Sequence, residues 1–281
     1  ITALIGEPAE KTQVYAPIGY YYQCCAPASI YKYCPDTQLH WDTIKSNQLW
    51  YSAPCNFNDV FDSVISIDDK SLMNDVLKLV LGNRKIRPGS KMWKEIHVRM
   101  KQELRSLKDK LNELRNTTGI SCFSECEDSL LMWAHYANNH QGFCMEYDLV
   151  DISKELKFTA VPVIYSDSRV CWNSLKLENI EKEAKSLFIC SLTSKSLDWS
   201  YEKEWRIIRE QEACGDGWNA DQKGALLKMI RPSSIILGCA VPSDFMNQVQ
   251  QYCKTTQINL YKMEMDPLQY KLNRKTVMEF K

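Results

Sequence analysis

Tyr201-Glu202-Lys203-Glu204-Trp205-Arg206-Ile207-Ile208 places two carboxylates two residues apart at the head of an apolar run, beside a tryptophan and an arginine. If the run is a strand, alternate side chains share a face. Glu202 and Glu204 then lie on one side and Trp205 on the other. Two like charges on one face are unfavourable unless a cation or a ligand lies there. The reading without chemistry is an edge strand with a solvated acidic face. The elements around the run decide between the two.

Upstream of it, residues 175–189 read as a helix. Val161-Pro162-Val163-Ile164-Tyr165 reads as a peripheral strand, because proline cannot donate to a ladder. Gly142-Phe143-Cys144-Met145-Glu146-Tyr147 and Ile120-Ser121-Cys122-Phe123-Ser124 are strands. Between them a helix capped by Asp128 or Ser129 carries Leu130, Met132, Trp133, His135 and Tyr136. Residues 91–115 form a long helix with one apolar stripe, Trp93, Ile96, Met100, Leu104, Leu107, Leu111 and Leu114, on a charged background. Thr117-Thr118-Gly119 ends it, and a shorter helix covers 71–81. Nearer the start come a strand at 29–33, a helix over 38–47 with Leu39, Trp41 and Ile44 as apolar contacts, and a strand at 48–52. A turn-rich loop follows, Cys55-Asn56-Phe57-Asn58-Asp59-Val60-Phe61-Asp62, anchored by Phe57 and Phe61. Residues 1–28, with Pro8, Pro17 and Pro27, read as an extended arm. Downstream, Cys214-Gly215-Asp216-Gly217 reads as a mobile loop, 234–240 as an apolar strand, 243–252 as a helix and 258–263 as a last strand. Strands and helices mix without a regular repeat, so the expected class is α+β. A mixed central sheet is expected in a single domain, 29–281, with a helical insertion at about 68–118.

Composition is that of a globular chain of 281 residues, 44% hydrophobic and 25% charged. Lys plus Arg equals Asp plus Glu, 35 each, which removes the bulk electrostatic case for non-specific nucleic-acid or membrane binding. No apolar stretch reaches spanning length and no secretory signal is visible at the start. The twelve cysteines are therefore expected to be reduced and the protein cytoplasmic. Cys122, Cys126, His135 and His140 can be drawn as a zinc site, but their spacing is not that of a finger or ribbon, and no metal is expected.

The pieces Ile30-Tyr31-Lys32-Tyr33, Leu49-Trp50-Tyr51-Ser52-Ala53-Pro54-Cys55-Asn56-Phe57-Asn58-Asp59-Val60-Phe61-Asp62, Ile120-Ser121-Cys122-Phe123-Ser124, Leu131-Met132-Trp133-Ala134-His135-Tyr136-Ala137 with Gly142-Phe143-Cys144, and the 201–206 run resemble, in that order, a bacterial family known only as domain of unknown function 2971. The family usually has proline where Val60 stands. By order and residue type the same pieces are similar to an ADP-ribosyltransferase and imply its split sheet. That resemblance implies NAD as the substrate, with Tyr31, Lys32, Tyr33, Tyr51, Ser52, Phe57, Tyr136 and Arg206 around it. Glu204, Glu202 and His135 would be catalytic, Glu204 as the essential carboxylate. Lys32 departs from the usual arginine or histidine, and a lysine lacks the fork geometry. Ser52-Ala53-Pro54 departs from the serine–threonine–serine run.

The first expectation is a mono-ADP-ribosyltransferase acting on a protein or nucleic-acid acceptor, as a toxin or phage-defence effector. The second is a metal-dependent nuclease built from Glu202, Glu204, Asp59 and Lys32. The third is a regulatory module without chemistry. The 91–115 helix is the expected surface for an antitoxin or dimer partner.

Overall fold

The computed structural model describes residues 26–280 apart from 82–86, 88, 157–159 and 174–179. Residues 1–25 of the expected arm lie outside them. The chain packs as two compact units. The first comprises 1–52, 119–163 and 198–281, and the second 53–118 and 164–197. The helical insertion expected over 68–118 falls in the second, together with a distant segment.

The strands, in chain order, are β1 (Ser29–Cys34), β2 (Gln48–Ser52), β3 (Ser66–Ile67), β4 (Thr118–Ser124), β5 (Phe143–Asp148), β6 (Val161–Pro162), β7 (Ile164–Ser166), β8 (Cys171–Trp172), β9 (Ser194–Ser196), β10 (Glu204–Glu210), β11 (Trp218–Asn219), β12 (Gly224–Lys228), β13 (Ser234–Leu237), β14 (Asn259–Met265) and β15 (Leu272–Met278). The helices are α1 (Gln38–Lys45), α2 (Asp69–Leu81), α3 (Lys91–Asn116), α4 (Leu130–Tyr136), α5 (Leu149–Leu156), α6 (Ile180–Leu192), α7 (Gln211–Cys214) and α8 (Ser243–Thr256). The molecule is α+β with a mixed, open central sheet.

The first unit is built on that sheet, in the order β11-β12-β2-β4-β1-β5-β13-β14-β15, with β10 pairing β4 and β6. Along that order the pairs are antiparallel except β13 with β14. The pleat sends alternate side chains to two differently covered faces. One face carries Ile30, Phe123, Met145, Trp205, Ile207, Ile235 and Leu260, packed with Trp41 and Ile44 of α1, Ile152 of α5, and Val249 and Cys253 of α8. Trp41 sets its edge against Phe143, Phe245 and Tyr252, with centroids 5.1–6.0 Å apart. The other face carries Tyr33, Cys144, Ile236, Met263 and Leu272 under Met132, Trp133 and Ala137 of α4 and the residue that follows it. α4 starts where Ser129 accepts from the Met132 N–H, as a helix N-terminus with unpaired donors requires.

The second unit contains α2, α3 and α6 and two short parallel pairs, β3 with β8 and β7 with β9. α3 runs from the Ser90 cap, whose hydroxyl accepts from the Trp93 N–H. Met100 and Leu111 of its stripe are buried. Lys108 pairs with Asp69 at 2.8 Å, and Arg115 donates to the Pro54 carbonyl at 3.2 Å.

Several expectations change. α1 stops at Lys45 and Leu39 is 72% exposed: it lies on the solvent side of a helix whose inward face is Trp41 and Ile44. Thr118 and Gly119 open β4 instead of closing α3. Cys214 and the residues around it form α7 and a 3₁₀ turn. α5, β12 and β15 were not expected at all. The 201–206 run is not one strand. Residues Leu197–Glu202 form a 3₁₀ helix, Lys203 takes a left-handed backbone (φ 43°), and β10 starts at Glu204. Strand alternation therefore does not reach Glu202. The residue that shares a face with Glu204 is Arg206.

Candidate functional site

The face of the sheet under α4 is where polar side chains collect. Trp205 and Ile207 point into the opposite core, so Glu204 and Arg206 point to this one. The Arg206 guanidinium holds both Glu204 oxygens, Nε to Oε1 at 2.8 Å and a terminal nitrogen to Oε2 at 3.0 Å. Arg206 is wholly buried and Glu204 is 5% exposed. A bidentate guanidinium–carboxylate pair fixes the plane of the carboxylate as well as its position. Cys122 points from β4 onto the same face. Burial, then the neighbouring Glu204 charge, pushes its thiol far above the ordinary range, so it stays protonated.

Glu202 reaches the site from the 3₁₀ turn. It is 3% exposed and accepts a 2.5 Å hydrogen bond from the Tyr136 hydroxyl at the end of α4. The Ser124 hydroxyl donates to the Glu202 carbonyl at 2.6 Å, and the Glu125 N–H donates to the Lys203 carbonyl at 2.9 Å. These bonds seat the left-handed Lys203. Beside the carboxylates stands an aromatic wall. His135 Nδ1 lies 3.1 Å from the Tyr201 hydroxyl, and Trp199 and Tyr201 have ring centroids 6.2 Å apart. His135 itself is exposed.

A second polar group lies on the same face across β1. Arg274 of β15 binds Glu127 at 2.6 Å and Glu146 at 2.8 Å, with its guanidinium 3.7 Å from the Tyr261 ring centroid. Ser234 donates to Glu146 at 2.6 Å. Burial works to raise the Glu146 carboxyl, but the Ser234 and Arg274 hydrogen bonds hold it below the ordinary carboxylate range. Burial and the Glu146 charge push the Tyr31 hydroxyl well up. The Tyr33 hydroxyl donates to the Cys126 carbonyl at 2.7 Å and its ring stands edge-on to Trp133.

The structure thus brings together Glu202, Glu204, Arg206, His135 and Tyr136. Tyr31, Tyr33 and Ser52 share their face of the sheet, Ser52 by its pairing with Ile120, two positions before Cys122. Lys32 and Tyr51 do not. Lys32 pairs opposite Met145 and its ammonium lies over the Phe123 ring, donating to the Cys122 carbonyl at 2.9 Å. Met145 and Phe123 belong to the opposite core. Tyr51 is buried in that core too. The expected cleft joining Lys32 to Glu204 is therefore not formed: one residue of strand phase puts them on opposite faces. Phe57 lies in the second unit.

Sequence reasoning missed Cys122 and Ser124 as neighbours of the two glutamates. Their alternation in β4 was a signal for a shared face, but nothing marked β10 as the strand beside it. Arg274 carried no signal at all. Among the described residues, no group of three or more His, Cys, Asp or Glu is placed to hold a metal ion, and no helix is long and apolar enough to cross a membrane. No curated protein and no solved structure matches the chain. Residues 132–207, from α4 to the middle of β10, match the model of a family described as protein of unknown function (DUF2971), and it is to that family that the site-bearing segment of this chain is similar.

Proposed function

We propose that the chain transfers ADP-ribose from NAD to a macromolecular acceptor, a protein or a nucleic acid, as a toxin or phage-defence effector does. One observation carries the reading: two carboxylates, Glu202 and Glu204, are almost wholly buried at the head of β10, each oriented by a named partner, beside an aromatic wall. Cleaving the bond between nicotinamide and ribose sends the bonding pair to nicotinamide and builds positive charge on the ribose. A fixed carboxylate in a water-poor site stabilises that charge more than it stabilises NAD itself. The Trp199 and Tyr201 rings suit the flat nicotinamide. Tyr31 and Ser52, which share the sheet face, take the positioning role that the resemblance alone spread to Lys32 and Tyr51. His135, exposed at the rim, takes the proton of the acceptor nucleophile as it attacks the ribose carbon.

The test is nicotinamide release from NAD and transfer of labelled ADP-ribose to cell extract, in wild type and in Glu202→Gln and His135→Ala. Glu202→Gln keeps an oxygen for the Tyr136 hydroxyl while removing the charge. Wild type should release nicotinamide and label an acceptor, Glu202→Gln should do neither, and His135→Ala should lose transfer more than release. Undiminished transfer by folded Glu202→Gln, or no release and no thermal stabilisation by NAD, would sink the proposal.

A further inference from the structure

A recess in the second unit plays no part in the reading above. It has a volume of about 220 Å³, with walls drawn from residues 61, 63–64, 166–170, 191 and 194–196. Sites for drug-sized ligands run to roughly 300–1,000 Å³, so this one suits a single ring system. Its charges come in matched signs. Lys195 Nζ lies 3.9 Å from Asp62 just behind the wall, their side chains 5% and 1% exposed, and the wall carries one exposed residue of each sign, Arg169 and Asp167. No excess of one sign draws in an anion.

The hydroxyls of the wall point to the same conclusion. Ser63 donates to Asp62, Ser191 to the Phe188 carbonyl and Ser194 to the Cys190 carbonyl, each at 2.7 Å. A hydroxyl has one proton and two acceptor lone pairs. With the proton committed inward, what each offers a ligand is acceptance, which suits N–H groups and not phosphate oxygens. At the mouth, Phe61 is 59% exposed, with the Arg169 guanidinium 5.1 Å from its ring centroid. Exposed aromatic rings and guanidinium planes are the surfaces on which bases stack.

We infer that this recess binds an uncharged, planar heteroaromatic base that carries N–H donors and a ring carbonyl: a nucleobase, from a free nucleoside or a single strand. The ring stacks at Phe61, the N–H edge meets the serine oxygens and the carbonyl meets Lys195. The inference does not rest on the transferase reading, and NAD is no part of its test.

The experiment is equilibrium dialysis of the full chain against adenosine, guanosine, cytidine and uridine in one arm and short single-stranded DNA and RNA in the other. Saturable binding is expected in at least one arm, and which arm binds identifies the source. Nucleoside binding should not change with salt. Phe61→Ala should weaken binding about tenfold, the size of one aromatic–base stack, and Phe61→Trp should retain it. An absence of binding in both arms, binding unchanged in Phe61→Ala, or displacement of the bound base by inorganic phosphate would overturn the inference.

Discussion

Glu204 and Arg206 show how far a single contact changes what a substitution means. Glu204→Gln preserves the shape of the side chain and removes its charge. In the fold, it leaves the guanidinium of a wholly buried arginine beside a neutral amide. Removing one partner of a buried pair leaves an uncompensated charge and costs about 3–5 kcal/mol. Glu204→Gln is therefore expected to lower stability by that amount in urea unfolding. Glu204→Gln combined with Arg206→Met should recover part of it, since the second change removes the guanidinium that Glu204 held. A single variant as stable as wild type would show that Arg206 does not depend on Glu204. The same pair explains why the two glutamates do not form one acidic face: strand alternation puts an arginine, not Glu202, beside Glu204.

At the scale of elements, the turn after α4 holds the helix at its place over the sheet. Asn138, Asn139 and His140 take left-handed backbone in succession, φ 47°, 52° and 67°. Asparagine tolerates that region and histidine less so. The strain is held by neighbouring backbone: the Gly238 N–H donates to the Gly142 carbonyl at 2.9 Å and the Ala240 N–H to the His140 carbonyl at 3.0 Å. Gly238 has no room for a side chain, as a Cβ there would lie 2.0 Å from the His140 carbonyl oxygen. Gly238→Ala is expected to destabilise by about 1–3 kcal/mol, the usual cost of overpacking. On the transferase reading proposed above, the substitution is also expected to slow nicotinamide release, because the turn follows directly on Tyr136, whose hydroxyl donates to Glu202. Denaturation midpoints and the release assay check the two effects separately. In sequence, Gly238 belonged to an apolar strand over 234–240; the strand stops at Leu237 because the chain turns there against His140. α3 shows the opposite case. Its length and stripe were legible from residues three and four apart, yet of the seven apolar positions Met100 and Leu111 are buried and Leu114 is 44% exposed.

On the scale of the whole molecule, the chain passes between its two units at 52–53, 118–119, 163–164 and 197–198. The early strands β1 and β2 sit inside the sheet, β1 between β4 and β5 and β2 between β12 and β4. A chain that begins at residue 53 lacks both, and opens four strand edges of the sheet. It is expected to be insoluble or to lack a cooperative thermal transition, as circular dichroism would register. A cooperative transition in that fragment would mean the two strands are dispensable. Local chemistry settled what the sequence determined alone: a cap at Asp128 or Ser129 before α4, the 3.6-residue stripe of α3, the two-residue alternation of β1 and β4, and the presence of acidic and aromatic residues at 201–206. Those are interactions between residues a few positions apart. Which strands lie side by side, which face each side chain meets, and that Glu204 answers to Arg206 while Glu202 answers to Tyr136 were decided by tertiary structure alone. Each depends on strand phase and on pairing across many residues of chain, and a shift of one residue in phase moves a side chain from one core to the other.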